Sequence, residues 1–552
     1  MTRAAALAVT IGLTACVGGS SPPPSYPLWQ GRLPAPSAPV WLVGLDGASW
    51  SLIRPLLERG DLPTFARLIA EGTHGTLLSE EPTISPALWA TIISGVPRAV
   101  HGVDNFFVKP PGAYDAVEVG PPDRRVPAVW DHVSAAGGSS TVVSWFGSFP
   151  AEPISGAYVS KGTDPANPGE HQVHPPQLRE QLPELVQPRL DADSAGEIAR
   201  SEFLTKTMTE DATTLATLET LAARSSADFV AVYFSGIDVV QHVTWKHMDP
   251  AYEPFPDEGP REEAFSGVIP AYYRFADRLL ARVLELAPDD ATVIVVSDHG
   301  AGPMEPQDAF HFRLEVLLGK LGYTTEQWET TTAFAISELH RERKRIFLNV
   351  EGVEARGIVP AHGVRSTVER IAARLSALRT DDGERVFRSV VAHDTDPAWE
   401  PGQPALTVEF SRAALFTRTA RDGEAELDFD DVRLRQSDVS GDHRLEGILL
   451  ARGPMIDRRR LEQPANLYNI APTLLYLLGL PQDDAMLRHV PAGGGVLREM
   501  LVHEMLEQRP ILMVSGYPGI ERAGQLRGGG AVESDPAREE ALEKLRSLGY
   551  VE

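Results

Sequence analysis

The chain has 552 residues, of which 43% are hydrophobic, so it is long enough for one large α/β domain with an insertion or for two domains. Acidic residues outnumber basic ones by 76 to 51, and the formal net charge is −25 at pH 7. This charge argues against a partner held through neutralised phosphates, so we expect no binding of nucleic acid polymers. An anionic substrate would need a local positive charge, which bound metal ions can supply.

The first 38 residues have the pattern of a targeting segment followed by a tether. Arg3 precedes the apolar stretch 4–13, which has about the length of a signal-peptide core and is too short to span a bilayer as a helix. The LTAC segment at 13–16 resembles the bacterial lipobox, whose cysteine is lipidated. We therefore expect a lipoprotein signal peptide over 1–16, with an ordinary secretory signal as the alternative, and a flexible tether over 17–38.

Cys16 is the only cysteine of the chain. If it is lipidated, it would attach the protein to a membrane of the bacterial cell envelope, on the periplasmic or extracellular face. A chain with one cysteine forms no intrachain disulfide, and any metal site must be built without thiolates.

Three apolar runs, 40–45, 229–237 and 291–297, are typical of buried strands in a parallel sheet. Each run leads into residues that can bind metals. These residues are Asp46 after the first run, Asp238 with His242 four positions later at the second, and Asp298 with His299 after the third. Because ligands of such sheets lie beyond the carboxyl ends of the strands, we expect these side chains to meet at one edge.

The rest of the chain alternates strand-like and helix-like patterns, which indicates an α/β fold with helices on both faces of the sheet. We predict a main domain over 39–485, with an inserted cap over about 303–440, and a C-terminal extension over 486–552. Further predicted elements are helices over 52–71 (interrupted by Pro63), 365–378, 470–478 and 535–548, and strands over 345–350 and 447–451.

Segment 82–95 contains a candidate nucleophile. Ser85 followed by Pro86 favours a helix start, because serine caps free amides and proline is pre-organised for the first turn. Such a helix start offers N–H groups to an anion. If Ser85 also touched a metal, its hydroxyl would be acidified and could attack phosphorus. An isolated Ser-Pro pair would be an ordinary helix cap, and it is the neighbouring motifs that favour the catalytic interpretation.

Taken together, the motifs resemble those of the alkaline phosphatase superfamily, and specifically of its type I phosphodiesterase/nucleotide pyrophosphatase branch. The resemblance runs from about 39 to 485 and implies an alkaline-phosphatase-like sandwich, in which a mostly parallel sheet has helices on both faces and an inserted cap. The motifs that carry it, in chain order, are Asp46-Gly47, the 82–95 segment, His101 to Asn105, Asp238-x-x-x-His242, Ser297-Asp298-His299-Gly300 and Gly441-Asp442-His443.

The resemblance implies a site for two divalent metal ions, with zinc expected and manganese as the alternative. Asp238, His242 and His443 would hold one ion. The other would be held by Asp46, Asp298 and His299 together with Ser85. The chemistry agrees independently, because zinc accepts imidazole nitrogen and carboxylate oxygen, and two neighbouring metals can stabilise an in-line displacement.

By the same resemblance, Ser85 is the nucleophile and Asn105 contacts a phosphoryl oxygen. Family members usually carry threonine at the nucleophile position, with a Pro-Asn pair two and three residues on. This chain instead has serine followed at once by Pro86, so Thr83 is an alternative nucleophile.

The sequence thus predicts metal-dependent hydrolysis of a small phosphate monoester or diester through a covalent phosphoseryl intermediate. Two alternatives remain open. One is a phosphotransferase or mutase of the same superfamily, which would pass the phosphoryl group to an acceptor other than water. The other is an inactive metal-binding surface lipoprotein. A sulfatase is disfavoured because no arginine follows Ser85 at the position that sulfatases require.

Overall fold

The structure of the chain is a computed structural model. It describes residues 32–110, 112–186, 201–253, 260–305, 309–336, 342–394, 400–423, 425–435, 439–488, 490 and 493–516. The predicted signal peptide with Cys16, most of the tether and the helix predicted over 535–548 lie outside these residues. Within them, no helix combines the length and the apolar character needed to cross a membrane.

The strands and helices are numbered along the chain. The strands are β1 (Val40–Leu45), β2 (Thr73–Leu78), β3 (Phe107–Val108), β4 (Val117–Glu118), β5 (Ser140–Val143), β6 (Gly156–Val159), β7 (Val173–His174), β8 (Phe229–Phe234), β9 (Thr292–Val296), β10 (Gly300–Pro303), β11 (Phe310–Phe312), β12 (Ala333–Phe334), β13 (Arg343–Leu348), β14 (Arg379–Thr380), β15 (Phe387–Ala392), β16 (Leu406–Phe410), β17 (Thr419–Asp422), β18 (Ala425–Asp428), β19 (Arg433–Arg435), β20 (Gly441–Arg444), β21 (Glu446–Arg452), β22 (Arg459–Arg460), β23 (Ala465–Asn466), β24 (Gln482–Asp483) and β25 (Met513–Val514). The α-helices are α1 (Trp50–Glu58), α2 (Pro63–Glu71), α3 (Ser85–Ser94), α4 (Arg98–His101), α5 (Val129–Ala135), α6 (Glu202–Ala222), α7 (Gly236–Met248), α8 (Val268–Leu286), α9 (Leu314–Lys320), α10 (Val364–Ala377), α11 (Ile470–Leu478), α12 (Ala485–Arg488) and α13 (His503–Gln508).

The main sheet confirms the predicted fold class. Its strand order is β22-β2-β21-β9-β1-β8-β5-β6-β7, and β23 also pairs with β2. The central strands β9, β1, β8, β5 and β6 are parallel, whereas β21 and β7 run antiparallel to their neighbours. The three predicted apolar runs are thus β1, β8 and β9, side by side at the centre of the sheet.

Both faces of this sheet are covered, which explains why β1, β8 and β9 are almost entirely apolar. Trp41, Val43 and Leu45 pack on one face with helices α1, α2 and α6 to α8. Val40 and Leu42 pack on the other face with α3, α5 and α11. Alternate residues of one strand therefore enter two separate cores.

Local sequence signals explain several helix boundaries. The predicted helix over 52–71 is two helices, because Pro63 lacks an N–H and begins α2 as its first residue. The helix predicted over 470–478 is α11, which ends at Gly479 in the left-handed conformation. The predicted return strand is β21.

The segment predicted as a cap has a core of its own, which extends from Phe312 to Val432. A four-stranded sheet of order β12-β13-β16-β15 forms part of it, together with helix α10. This region contacts the loop between β3 and β4. Lys109 and Glu354 form a buried ion pair of 2.9 Å there, and Tyr114 stacks on Trp328 with ring centroids 3.8 Å apart. The limits of 303 and 440 stay a prediction.

Candidate active site

Strand register places the first potential ligands at one edge of the sheet. Leu45 pairs with Phe234 of β8, and Gly44 pairs with Val296 of β9. The residues that follow these strands, including Asp46 and Asp298, therefore emerge at nearly the same height beyond the carboxyl ends.

Asp46, Asp298 and His299 form the first group of potential ligands. Nε2 of His299 lies 3.3 Å from Oδ1 of Asp46 and 3.5 Å from Oδ2 of Asp298. All three residues are buried, and their ligand atoms lie within 4.8 Å of one another. The three side chains could therefore hold one metal ion.

Asp238, His242 and His443 form the second group. Asp238 and His242 share one face of α7, and Oδ1 of Asp238 lies 3.3 Å from Nε2 of His242 and 3.6 Å from Nε2 of His443. The Nε2 atoms of the two histidines are 3.0 Å apart. His443 reaches this position because its strand β20 pairs with β10, which begins directly after His299.

The two groups adjoin each other. The rings of His299 and His443 stack with centroids 3.7 Å apart. Asp238, His299 and His443 also have ligand atoms within 4.8 Å of one another. The structure thus brings all six predicted imidazole and carboxylate ligands into one cluster, and His299 lies between the groups.

The three imidazoles make the hydrogen bonds that are expected of metal-binding histidines. Nδ1 of His299 lies 2.9 Å from the carbonyl oxygen of Gly300, and Nδ1 of His242 lies 2.9 Å from that of Gly441. Nδ1 of His443 lies 2.9 Å from the carbonyl oxygen of Thr83. Because a carbonyl only accepts, each Nδ1 donates, which leaves each Nε2 facing the cluster, where it offers a lone pair to a metal ion once its proton is displaced. Ligating histidines usually donate their other N–H in this way.

The environment of the carboxylates also favours bound cations. Both side-chain oxygens of Asp298 and Oδ1 of Asp46 are buried and accept no hydrogen bond from the described residues. Leaving such groups unpaired in the protein interior is costly. Imidazole nitrogens and carboxylate oxygens that converge in this way are the donor set that zinc prefers, so the residues fit two metal ions.

The burial and the closeness of these groups also shift the pKa values of Asp298 and His299. Burial, followed by the charge of Asp46, raises the pKa of Asp298 well above its usual range. Burial alone would lower the pKa of His299, but the carboxylates of Asp298 and Asp46 raise it to about 10. Without metal the cluster therefore retains protons, which bound cations would displace.

We expect the stability of the metal-free protein to fall as the pH rises. The folded-state pKa of His299 lies above its ordinary value of 6.5, so its stabilising contribution is complete below that pH and is lost as the pH approaches about 10. The raised pKa of Asp298 acts in the same direction, because the folded state holds a proton that the unfolded chain releases. Thermal unfolding of EDTA-treated protein between about pH 7 and pH 9 should show a falling Tm, and zinc-loaded protein a nearly constant one. A constant Tm without metal would contradict this expectation.

Ser85 lies beside the first group of ligands. Its Oγ is 3.5 Å from Nε2 of His299, and the residue is buried. Thr83 instead lies behind the second group, with its Oγ1 3.1 Å from Nδ1 of His443. The hydroxyl of Ser85 therefore faces the potential ligand atoms, whereas that of Thr83 contacts the outer side of a ring.

The expectation that Ser85 caps its helix is wrong. Ile84 is the N-cap residue of α3, and Ser85 is the first helical residue, with no side-chain cap at this end. The physical reason is that the Ser85 hydroxyl turns toward His299 instead of toward the helix amides. Pro86 has no N–H and the amide of Ala87 bonds to the carbonyl of Ile84, so of the first three helical residues only Ser85 has an amide to offer an anion.

Asn105 lies in the loop after α4, close to the start of α3. It is buried, and its Oδ1 accepts a hydrogen bond of 2.8 Å from the amide of Phe106. Phe106 packs with Ile84 and Ala87, the neighbours of Ser85 and Pro86. In this orientation the Nδ2 group of Asn105 remains to donate to a ligand.

Two residues that hold Asp46 were missed as site residues at the sequence level. Oδ2 of Asp46 accepts hydrogen bonds from the Tyr233 hydroxyl and from Nε1 of Trp89, the latter at 3.2 Å. From the sequence alone, Trp89 is expected to be an ordinary core residue. The available signal was the single hydroxyl of Tyr233, close to the carboxyl end of an otherwise apolar strand. Together these donors fix one carboxylate oxygen and leave Oδ1 for the cluster.

Comparison with solved structures finds chains of low sequence identity. Phosphonoacetate hydrolase from Sinorhizobium meliloti, in complex with phosphonoacetate, has 17% identity and a TM-score of 0.43, with 83% of this chain and 98% of that chain covered. Murine ectonucleotide pyrophosphatase/phosphodiesterase 5, in complex with AMP, has 15% identity and a TM-score of 0.46, with coverages of 84% and 100%. The human protein of the same name has 14% identity and a TM-score of 0.45, with coverages of 84% and 99%. No curated protein matches the chain in sequence.

The comparison with protein families is decisive. The profile of the family described as type I phosphodiesterase / nucleotide pyrophosphatase matches residues 40–443. The match begins at β1 and ends at His443, so it spans both groups of potential metal ligands and Ser85. The chain therefore belongs to the type I phosphodiesterase/nucleotide pyrophosphatase family, and it is a metal-dependent phosphoric ester hydrolase.

Proposed function

We propose that the chain hydrolyses small phosphate monoesters or diesters at a two-zinc site through a covalent phosphoseryl intermediate. The single observation that carries this proposal is the position of Ser85. Its hydroxyl lies 3.5 Å from Nε2 of His299, at the edge of a cluster in which six imidazole and carboxylate side chains converge. A nucleophile beside such a cluster can reach the phosphorus of an ester whose oxygens are bound there.

The metal ions would be held by Asp46, Asp298 and His299 on one side and by Asp238, His242 and His443 on the other. Bound there, they would supply positive charge that stabilises the attacking and leaving oxygens and lowers the pKa of the serine hydroxyl. The protein contributes the fixed arrangement of the ligands, since each imidazole is oriented by a backbone carbonyl.

In the first step Ser85 attacks the phosphorus atom. The Oγ–H bond breaks and its proton passes to solvent. A bond forms from Oγ to phosphorus, and the bond from phosphorus to the ester oxygen breaks. The leaving alcohol gains a proton from water. Asn105 donates from Nδ2 to a phosphoryl oxygen, and the amide of Ser85 donates to the same group.

In the second step water attacks the phosphoserine. The new bond between water oxygen and phosphorus replaces the bond to Oγ of Ser85; the attacking water releases a proton to solvent, and Oγ regains one. Phosphate leaves from a monoester, and a phosphate monoester leaves from a diester. Because both steps pass through similar transition states, one set of donors serves both.

The test is to trap the intermediate. Protein mixed with an excess of p-nitrophenyl phosphate, quenched in acid within the first turnover and digested, should carry a phosphoryl group on Ser85, as located by fragmenting the modified peptide. The Thr83→Val variant should also be modified at Ser85. A burst of p-nitrophenol without any phosphopeptide, or modification at Thr83 in the wild-type chain, would contradict the proposal. Release of phosphate to a non-water acceptor in preference to water would instead identify a phosphotransferase.

We further propose that the enzyme is attached to the bacterial cell envelope through lipidated Cys16. This proposal rests on the signal-like residues 1–16 and the tether pattern over 17–38 alone. Strand β1 begins at Val40, after the tether predicted over 17–38. An anchor at Cys16 would then leave the folded domain free to meet soluble substrates at the membrane surface.

A further inference from the structure

We propose that Gln241 is a positioning residue, which holds the turn after Asp46 against the helix that carries Asp238 and His242. The inference rests on the proposed two-metal site, because it concerns the spacing between the two ligand groups. It assigns a role to a residue that is neither a predicted ligand nor in contact with the nucleophile.

The carboxamide of Gln241 links the two ligand-bearing segments directly. It lies on α7 between Asp238 and His242, and its Nε2 donates a hydrogen bond of 3.0 Å to the carbonyl oxygen of Gly47. Gly47 is the residue after Asp46. One side chain thus joins the backbone next to a ligand of the first group to the helix that bears two ligands of the second.

The other end of the carboxamide is also held. The hydroxyl of Tyr273, on α8, donates a hydrogen bond of 3.0 Å to Oε1 of Gln241 and accepts one of 3.0 Å from the amide of Ser49. Gln241 is 1% exposed and Tyr273 is fully buried. Since the chain Gly47–Gln241–Tyr273–Ser49 is buried and bonded at each link, its orientation is fixed.

Close contact at Gly47 explains why this spacing matters. Gly47 has a φ of 64°, and a Cβ there would lie 2.9 Å from Oδ1 of Asp238. That Asp238 oxygen is also the one that lies 3.3 Å from Nε2 of His242 and 3.6 Å from Nε2 of His443. A small shift of the turn would therefore move either Asp46 or Asp238 away from its partners.

A second side chain, that of Ser297, holds the other side of the same turn. Oγ of Ser297 donates a hydrogen bond of 2.8 Å to the carbonyl of Ala48, and it accepts one of 2.8 Å from the amide of Ile448. Ser297 thereby holds the turn to the segment of Asp298, which belongs to the same ligand group as Asp46. Gln241 differs from Ser297 in that its side chain crosses from one ligand group to the other.

The test measures zinc binding and not activity. In the Gln241→Met variant, a side chain of similar length lacks both hydrogen bonds. Equilibrium dialysis of metal-free protein against buffered Zn²⁺ should show that at least one of two sites has lost about 10- to 100-fold in affinity, the range seen when groups that orient ligands are removed. Thr244→Val is the control, because Thr244 is buried on the same helix and, among the described residues, its hydroxyl bonds only to the carbonyl of Val240 in that helix.

Tyr273→Phe extends the test and replaces it if the Gln241 variant does not fold. It should weaken zinc binding by a smaller factor, and the double variant should bind zinc no more weakly than Gln241→Met alone, because both changes break one network. Unchanged zinc affinity in folded Gln241→Met or Tyr273→Phe would overturn the inference. So would an equal loss in Thr244→Val, since that would indicate general destabilisation. A wild-type protein that binds no zinc would instead refute the proposed two-metal site itself.

Discussion

Replacing Ser85 by alanine is expected to lower kcat/KM for a phosphate ester by about 10⁴-fold or more, the scale on which enzymes lose activity with their nucleophile. The reason is that the variant keeps all six potential metal ligands but has no hydroxyl to attack phosphorus. Initial rates with p-nitrophenyl esters, measured on zinc-loaded protein, give the comparison. Zinc content should stay at two ions per chain, with a weaker affinity at the site nearest Ser85.

Thr83→Val is the matched control for this prediction. Its hydroxyl contacts Nδ1 of His443, and that ring nitrogen keeps the carbonyl of Thr83 as an acceptor when the hydroxyl is removed. We therefore expect a loss of activity smaller than about tenfold, in line with one hydrogen bond. The reverse pattern, with an active Ser85→Ala and an inactive Thr83→Val, would show that Thr83 is the nucleophile.

Replacing Asp298 by asparagine is expected to remove at least one metal ion and to lower kcat/KM by about 10³-fold or more, because a metal contributes several kcal/mol of charge stabilisation. Asp298 is fully buried, and neither of its oxygens accepts a hydrogen bond from the described residues. The amide has nearly the same shape, but it lacks the negative charge and places an N–H group where a cation would bind. Metal content by elemental analysis and initial rates measure the two effects.

Asp277→Asn serves as the control for Asp298→Asn. Asp277 is also a buried carboxylate, but it accepts hydrogen bonds from the amides of Thr64 and Phe65 at the start of α2. This variant should lower the free energy of unfolding and leave metal content unchanged. Equal metal loss in both variants would mean that any buried charge change disrupts the protein, and the role of Asp298 as a ligand would lose its support.

The sequence predicted the central sheet well because its strands are buried on both faces. Continuous apolar runs therefore mark β1, β8 and β9 within three residues of their observed ends. The carboxyl-end rule then placed Asp46, Asp238 and Asp298 on one edge, since the rule depends on strand direction and not on the partners of each side chain. Helix boundaries were predicted where proline or glycine determines them, as at Pro63 and Gly479.

Features that depend on distant partners were not predictable. Ser85 was expected to cap its own helix, but it turns to His299, more than two hundred positions away in sequence. The roles of Tyr233 and Trp89 depend on which face of the sheet Asp46 turns toward. The network through Gln241 likewise joins three segments whose proximity follows only from the packing of α7 and α8. Spacing along the chain contains none of this information.

The central claim is that six side chains of this chain bind two metal ions beside Ser85. Anomalous diffraction at the zinc absorption edge, from crystals of the zinc-loaded protein, tests it most directly. The account predicts two peaks, one in contact with Asp46, Asp298 and His299 and one in contact with Asp238, His242 and His443. No peak at this cluster, or zinc bound only elsewhere on the protein, would contradict it.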